Sequence, residues 1–118
     1  PRVTAAVILS GAEDPLAPAF RFDSPSPALL AVQGTADTIN PPSLTDAFFG
    51  MASRPKYLLE LLGASHQPPY TELGSLLSTV ERVTTAFLNA YLKLDSRAAR
   101  RLLSPRIAGS GAVLRAHP

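Results

Sequence analysis

Three short apolar runs constrain the fold of this chain more than any other feature of its sequence. Each run is followed within two residues by a glycine, which favours an exit into a loop. The first two runs are almost continuously apolar, as in parallel strands whose two faces are both covered by helices. The sequence therefore predicts buried parallel strands at residues 3–9 (VTAAVIL), 28–32 (ALLAV) and 56–62 (KYLLELL).

Helical patterns follow the second and third runs. Pro41 and Pro42 suit the first turn of a helix that ends near Gly50. A capping-box pattern at 78–81 (STVE) precedes apolar residues at helical spacing, which predicts a helix over 79–93. A shorter helix is expected over 97–103 with Ser96 as its cap, and for 105–118 we expect a loose tail or an extension of the sheet edge.

The order strand, loop, strand, helix, strand, helix predicts an α/β fold in which helices cross over between parallel strands. Three strands and about two sizeable helices make an incomplete sheet, because such a sheet needs both faces covered and both edges managed. The chain also starts at Pro1 and runs straight into a strand, so we expect a fragment or a processed product.

Composition excludes several classes of protein. The 118 residues suit one domain, and 46% hydrophobic with 17% charged residues is typical of a globular chain. No apolar run approaches the roughly 20 residues of a transmembrane helix. A net charge of +2 gives no argument for nucleic acid, and the lack of cysteine excludes a thiolate metal site and a cysteine nucleophile. The compartment, cytoplasmic or exported, stays open.

Two residues with catalytic chemistry follow neighbouring predicted strands. Asp37 lies three residues after Gly34, and His66 lies three residues after Gly63, 29 positions further on. Ligands of doubly wound sheets bind at the carboxyl ends of the strands, where both side chains would project. A carboxylate there can accept the histidine Nδ1–H, which fixes the tautomer and stabilises the imidazolium that forms when Nε2 takes a proton.

These segments resemble the α/β-hydrolase superfamily, closest to its dienelactone-hydrolase-like and lipase or esterase-like members. Residues 28–41 (ALLAVQGTADTINP) resemble the strand and acid loop of that family, and 61–66 (LLGASH) are similar to its histidine loop. The resemblance spans about residues 3–94 and implies the C-terminal part of the catalytic domain, with residues 95–118 as a short helix and loose tail. It implies Asp37 as the acid and His66 as the general base of a Ser-His-Asp triad.

The nucleophile of that family has no counterpart here. Members carry Gly-x-Ser-x-Gly on a turn from a strand into a helix, before the acid and the histidine, and this sequence has no such pentapeptide. Ser10 ends a strand but lacks the preceding glycine and the following helix pattern, and Ser65 is adjacent to His66 in the chain. The resemblance therefore implies that the nucleophile and the oxyanion hole belong to an N-terminal portion of the same protein.

Other candidates compete with this interpretation. Asp14 is an alternative acid after the first strand, and Asp37 could be a plain turn residue. His66 could be an ordinary surface histidine, and the only other histidine is His117. Four residues could line an acyl pocket but are more often core or lid residues: Phe48, Phe49, Met51 and Tyr70. A cluster of arginines is best explained as a solvated helix end: Arg97, Arg100, Arg101 and Arg106.

The expected function is that of a serine hydrolase acting on small-molecule carboxylic esters, with no metal or organic cofactor. This chain would supply Asp37 and His66 and would be inactive alone, because loss of one triad member costs several orders of magnitude in rate. The alternative is a non-catalytic interaction module of the same fold that needs a partner to complete its sheet.

Overall fold

The computed structural model describes residues 3–13, 22 and 25–118. Within that part of the chain, four strands form one mixed sheet, and four helices follow the second and third strands. The strands are β1 (Ala5–Leu9), β2 (Ala28–Gly34), β3 (Lys56–Leu61) and β4 (Ala112–His117). The helices are α1 (Pro42–Met51), α2 (Pro68–Thr71), α3 (Ser75–Leu92) and α4 (Ser96–Leu102).

The strand order in the sheet is β1-β2-β3-β4, and the first three strands are parallel. β4 pairs with β3 in the antiparallel sense. The predicted α/β class, with mostly parallel strands and helices between them, is therefore confirmed. Because β2 and β3 are parallel neighbours, the loops that follow them meet at the same edge of the sheet.

The continuous apolar run of β2 results from helices on both faces of the sheet. Leu30 and Val32 face the cluster formed with α3 and α4, whereas Leu29 and Ala31 face the cluster formed with α1. All four side chains are inaccessible to solvent. A strand buried on both sides has no polar face, so its sequence does not alternate.

Helix α3 supplies most of the cover on one face. Val83 and Phe87 lie on its buried stripe and are fully enclosed, and each stabilises the fold by roughly 2 kcal/mol through removal of apolar surface from water. The Phe87 ring packs edge-on against Tyr57 of β3 at 5.9 Å between centroids. The hydroxyl of the buried Tyr57 in turn bonds to the hydroxyl of the half-buried Tyr91 at 2.8 Å, so each hydroxyl has a partner.

The helix starts differ from the sequence predictions. α3 begins at Ser75 after Gly74, one turn before the expected position, so the STVE pattern lies inside the helix and does not cap it. Leu76 explains the extra turn, because it packs against the core cluster. The cap of α4 is Asp95 and not Ser96: its carboxylate accepts from the backbone N–H groups of Arg97 and Ala98.

The C-terminal segment is also corrected. Residues 112–117 form β4, paired over its whole length with β3, so the extension of the sheet edge holds and the loose tail does not. Ala112, Leu114 and Ala116 pack toward the core. Val113 is exposed, and Arg115 bonds to carboxylates at the surface. This alternation is typical of an antiparallel edge strand.

Candidate active site

The structure brings Asp37 and His66 into direct contact. Asp37 lies in the loop that follows β2, and His66 lies in the loop that follows β3. His66 Nδ1 is 2.8 Å from Asp37 Oδ2. The Asp37 side chain is fully buried, whereas 24% of the His66 side chain is exposed. The pair therefore has a buried acid and a histidine that reaches the surface.

The two loops are held together by backbone hydrogen bonds. Thr35 N–H donates to Leu61 O and Ala36 N–H donates to Ala64 O, both at 3.0 Å. Gly63 N–H donates to Thr35 Oγ1 at 2.8 Å. A side chain at Gly34 would collide with the backbone oxygen of Ala64, so this close approach requires glycine. Gly34 of the family-like pattern thus has a local physical role: it allows the acid loop to pack on the histidine loop.

Both oxygens of the Asp37 carboxylate accept hydrogen bonds. Oδ1 accepts from the backbone N–H groups of Ile39 and Asn40 at 2.9 Å each, and Oδ2 accepts from His66 and from Gln33 Nε2 at 3.4 Å. Burial by itself raises the pKa of this carboxyl, but the bonds from His66 and the backbone outweigh it and hold the pKa below 3.8. The carboxylate is therefore ionised at neutral pH.

The ionised carboxylate determines the histidine tautomer. Since it can only accept hydrogen bonds, the proton of a neutral His66 ring resides on Nδ1. Nε2 then carries the free lone pair, and within the described residues no hydrogen bond engages it. The arrangement can accept a proton at Nε2 and stabilise the resulting imidazolium through Asp37, as a general base requires.

A second network ties the end of β1 to both loops. Ser10 Oγ lies 2.7 Å from the Tyr70 hydroxyl, and Asn40 Nδ2 donates to Ser10 O at 2.7 Å. Ser10 has a left-handed backbone with φ of 46°, which its N–H to Val32 O bond helps to hold. Burial raises the pKa of Tyr70, its bond to Ser10 opposes this, and the charge of Asp37 adds to it. Ser10 is buried and faces Tyr70, so the structure gives it no role as a surface nucleophile.

Sequence reasoning missed a further pair of residues beneath the acid. Gln33 and Thr45 are 2% and 1% exposed, and Thr45 Oγ1 lies 2.6 Å from Gln33 Oε1. Gln33 Nε2 donates to Gly34 O at 2.9 Å and to Asn40 O at 3.1 Å, besides its contact with Asp37. The sequence signal for this was slight: a polar residue at the end of an otherwise apolar run.

The His66 ring borders a cleft of about 190 Å³. Its walls also include Thr38, Ile39 and Pro68. A neighbouring cleft of about 320 Å³ shares Ser65 and Pro68 with it. Its lining is mainly apolar and comes from the segment between β3 and α3 and from the first turn of α3: Ala64, Pro68, Pro69, Leu73, Leu76 and Leu77. The histidine thus opens toward a mostly apolar surface, on which Leu73 is almost completely exposed.

The proposed pocket residues have other positions. Phe48 and Phe49 are buried between α1 and the sheet, so they belong to the core. Met51 is exposed at the end of α1 and does not border the His66 cleft. Tyr70 directs its hydroxyl to Ser10 and to Val32 O and acts within the network beneath the site. The alternative of core residues is confirmed for the two phenylalanines.

The remaining candidates lie away from this pair or outside the described residues. Asp14, the alternative acid, falls among the residues that the structure does not describe. His117 lies on β4 with its ring against Phe49. The arginines at 97, 100, 101 and 106 are all exposed, and Arg100 and Arg101 occupy the last turn of α4, where the helix dipole favours cations.

The described residues contain neither a metal-binding cluster nor a helix that could span a membrane. Across residues 3–13, 22 and 25–118, no group of three or more His, Cys, Asp or Glu side chains is placed to hold a metal ion. Over the same residues, no helix combines the length and the apolar character needed to cross a bilayer. In comparisons with known proteins, no family model and no curated protein matches the sequence.

Proposed function

We propose that this chain supplies the acid and the general base of a serine hydrolase that acts on carboxylic esters. The observation that carries the proposal is the 2.8 Å bond between His66 Nδ1 and Asp37 Oδ2, at the carboxyl ends of adjacent parallel strands. A buried, fully hydrogen-bonded carboxylate behind a partly exposed imidazole is the arrangement that activates a serine hydroxyl.

The mechanism follows from the two ends of the His66 ring. The serine Oγ attacks the ester carbonyl carbon while Nε2 of His66 takes the hydroxyl proton. Asp37 stabilises the imidazolium that forms. The tetrahedral intermediate collapses as Nε2–H protonates the departing alkoxide, which leaves an acyl-enzyme. Water then attacks the acyl carbon with Nε2 again as the base, and the acid product and free serine are released.

The serine itself is proposed to come from sequence outside these 118 residues. Ser10 is buried against Tyr70, and Ser65 is next to His66 in the chain, so neither suits the role. The order nucleophile, acid, histidine of the resembled family places the serine on the N-terminal side. No cofactor is required by this chemistry.

The cleft beside His66 supports a small ester with an apolar part as the substrate. The cleft is continuous, through Ser65 and Pro68, with the mostly apolar surface that carries Leu73. Among the described residues, Glu72 is the one acidic or basic side chain, apart from His66 itself, that lines either cleft. An acyl or alkyl chain that binds on this surface would be shielded from water by apolar side chains. Ligand pockets are mostly lined in this way, with few polar groups.

The experiment that tests the proposal is hydrolysis of a short p-nitrophenyl ester by the complete gene product that contains this sequence. His66→Ala should lower kcat by about 10⁴-fold or more, because the base is lost. Asp37→Asn should lower kcat by about 10⁴-fold while the fold is retained, because the amide leaves the ring in the wrong tautomer.

The matched control is His117→Ala, which removes the other histidine of this sequence. Its ring packs on Phe49 at the far side of the sheet, so kcat should stay within about twofold. Equal losses in the two histidine variants, or near-normal hydrolysis by His66→Ala, would refute the assignment of His66 as base.

A second candidate function is that of an interaction module whose partner completes the sheet. The observation in its favour is β1, an apolar strand that no other described strand covers on its outer side. If the complete gene product binds a partner through β1 and shows no ester hydrolysis, this function replaces the first. If the complete gene product instead hydrolyses esters through a serine whose reactivity requires His66, the first function stands, and β1 belongs to the sheet of the enzyme.

A further inference from the structure

Gln33 is the least expected residue beneath the candidate site, because it puts a primary amide at the end of a fully buried strand. Gln33 is almost completely buried. A buried amide needs hydrogen-bond partners for both its oxygen and its nitrogen. All of its partners lie in the acid loop, in its own strand or in α1. The residue therefore connects the Asp37 loop to the interior.

The orientation of this amide follows from its surroundings. On the nitrogen side lie three acceptors: Gly34 O, Asn40 O and Asp37 Oδ2. If the amide were turned over, its oxygen would face three oxygens with no proton between them. On the other side the Thr45 hydroxyl lies 2.6 Å from Gln33 Oε1 and 3.2 Å from Gly11 O, and it donates to the closer amide oxygen. The two N–H protons of the amide serve three acceptors, of which Asp37 Oδ2 is the most distant at 3.4 Å. Only this orientation sets donors against acceptors.

This orientation has a consequence for the acid. Gln33 donates to Oδ2, the same carboxylate oxygen that accepts from His66 Nδ1, while the backbone satisfies Oδ1. Gln33 also donates to the backbone of Asn40, which itself donates to Oδ1. One side chain thus contacts both the carboxylate and the loop that encloses it.

We infer that Gln33, held by Thr45, is a positioning residue that keeps the Asp37 carboxylate ionised and turned toward His66. The inference rests on the proposed function and assigns it a residue that touches neither substrate nor histidine. A neutral donor suits this role because it stabilises the charged carboxylate without neutralising it. A lysine or arginine in its place would compete with the imidazolium for the same charge.

The test measures the pKa of Asp37 in the 118-residue chain, by an NMR titration of its carboxyl ¹³C signal. Gln33→Met keeps the side-chain length and removes the donor, so the charged carboxylate is less favoured and the pKa of Asp37 should rise. Gln67→Met makes the same change in an exposed residue beside His66, and the pKa should not move. A merely structural role for Gln33 would lower stability and leave the pKa where it was.

The wild-type chain gives a second readout that does not depend on a variant that folds. The side-chain amide signals of Gln33 should shift with an inflection at the pKa of Asp37, and those of Gln67 should not. No inflection at Gln33, or equal pKa values in wild type and Gln33→Met, would overturn the inference. If the NMR signals of the His66 ring do not change in Asp37→Asn, Asp37 and His66 are not paired, and the proposed function fails instead of this inference.

Discussion

The two outer strands of the sheet differ in how they manage an open edge. β4 is antiparallel to β3, alternates between inward and outward residues, and carries Arg115 beside two carboxylates. β1 is parallel to β2, reads AAVIL, and is only half-buried along most of its length. Natural edge strands are protected by charge and alternation, and β4 has both whereas β1 has neither.

The hydrogen bonds of β1 point to the same difference. Ser10 N–H donates to Val32 O, and Ala28 N–H donates to Thr4 O. Because parallel strands address each neighbour with alternate residues, the N–H and C=O groups of Ala5, Val7 and Leu9 face the open side. β1 therefore has the sequence of a central strand at the position of an edge strand. Among the described residues, the β4 edge has the features that protect an edge strand, and the β1 edge does not.

The largest expected effect compares two glycines, Gly34 at the end of β2 and Gly11 just after β1. Gly34→Ala places a methyl group against the backbone of Ala64, with Ser65 O at 2.9 Å, and should cost about 3 kcal/mol and separate the two loops. Gly11→Ala, just after β1, meets no backbone atom but only the side chain of Ile8, at its Cγ2 methyl, which moves by rotation of the whole side chain. Its cost should be about 1 kcal/mol, well below that of Gly34→Ala. Chemical denaturation of both variants measures the contrast, and equal costs would show that the loops are not tightly joined.

The next effect concerns two equally exposed apolar residues on the two outer strands. Leu9 and Val113 are 44% and 46% exposed, and a lysine at either should change the stability of this chain alone by less than about 0.5 kcal/mol. In the complete gene product, Leu9→Lys should cost about 2 kcal/mol, because a strand packed on β1 would cover the charge.

Val113→Lys should stay neutral in both forms of the protein. Thermal unfolding of the four variants, each compared with the same form of the protein without the substitution, measures the difference. If Leu9→Lys is as harmless in the complete product as in the chain, β1 is a true edge and no further strand adds to it.

A third effect tests the tightly joined side by pH. The pKa of Asp37 is lowered in the folded chain, so its contribution to stability is full above 3.8 and is lost as the pH falls through the folded pKa. At pH 7, Asp37→Asn should lower the free energy of unfolding by about 1.5 kcal/mol. The gap between the two proteins should narrow below pH 3.8.

The control for this titration is Asp46→Asn, which changes an exposed carboxylate on α1. It should alter the free energy of unfolding little at either pH. A gap for Asp37→Asn that is constant from pH 7 to pH 3 would show that the carboxylate is not held ionised by its four donors.

The smallest effect concerns the charges on β4. Arg115 lies 3.2 Å from Glu60 and 3.5 Å from Asp46; the side chains of Arg115 and Asp46 are exposed, and that of Glu60 is 31% exposed. Arg115→Ala should therefore cost less than about 1 kcal/mol, and less still in high salt. Denaturation at two ionic strengths checks this. A loss of several kcal/mol would mean that charge pairs, and not the pairing with β3, hold this edge.

The sequence predicted those elements whose own residues determine them. The parallel strands follow from apolar runs closed by glycine, and the positions of Asp37 and His66 follow from loops at strand ends. The start of α3 was wrong because the STVE pattern is a local signal, whereas the packing of Leu76 on the core extends the helix. The sequence does not decide between a loose tail and an edge strand for β4, because its small residues and Arg115 acquire a strand pattern only in register with β3.

The support beneath the acid was beyond sequence reasoning for a similar reason. Gln33 and Thr45 are 12 positions apart, and Ser10 and Tyr70 are 60 positions apart. Each residue alone reads as an ordinary polar residue, and its role depends on partners that only the fold brings within 3 Å or so. The sequence drew attention to Asp37 and His66 because an aspartate and a histidine at neighbouring strand ends form a recognisable pattern, whereas the residues around them contribute through geometry.

The measurement that tests the central claim most directly is covalent labelling with a fluorophosphonate probe, followed by mass spectrometry of the labelled peptide. The chain alone, the complete gene product and its His66→Ala variant are compared under the same conditions. The account predicts a label only on the complete product, at a serine outside these 118 residues, and loss of that label in His66→Ala. A label on Ser10, Ser65 or any other serine of this chain, or labelling that ignores His66→Ala, would contradict it.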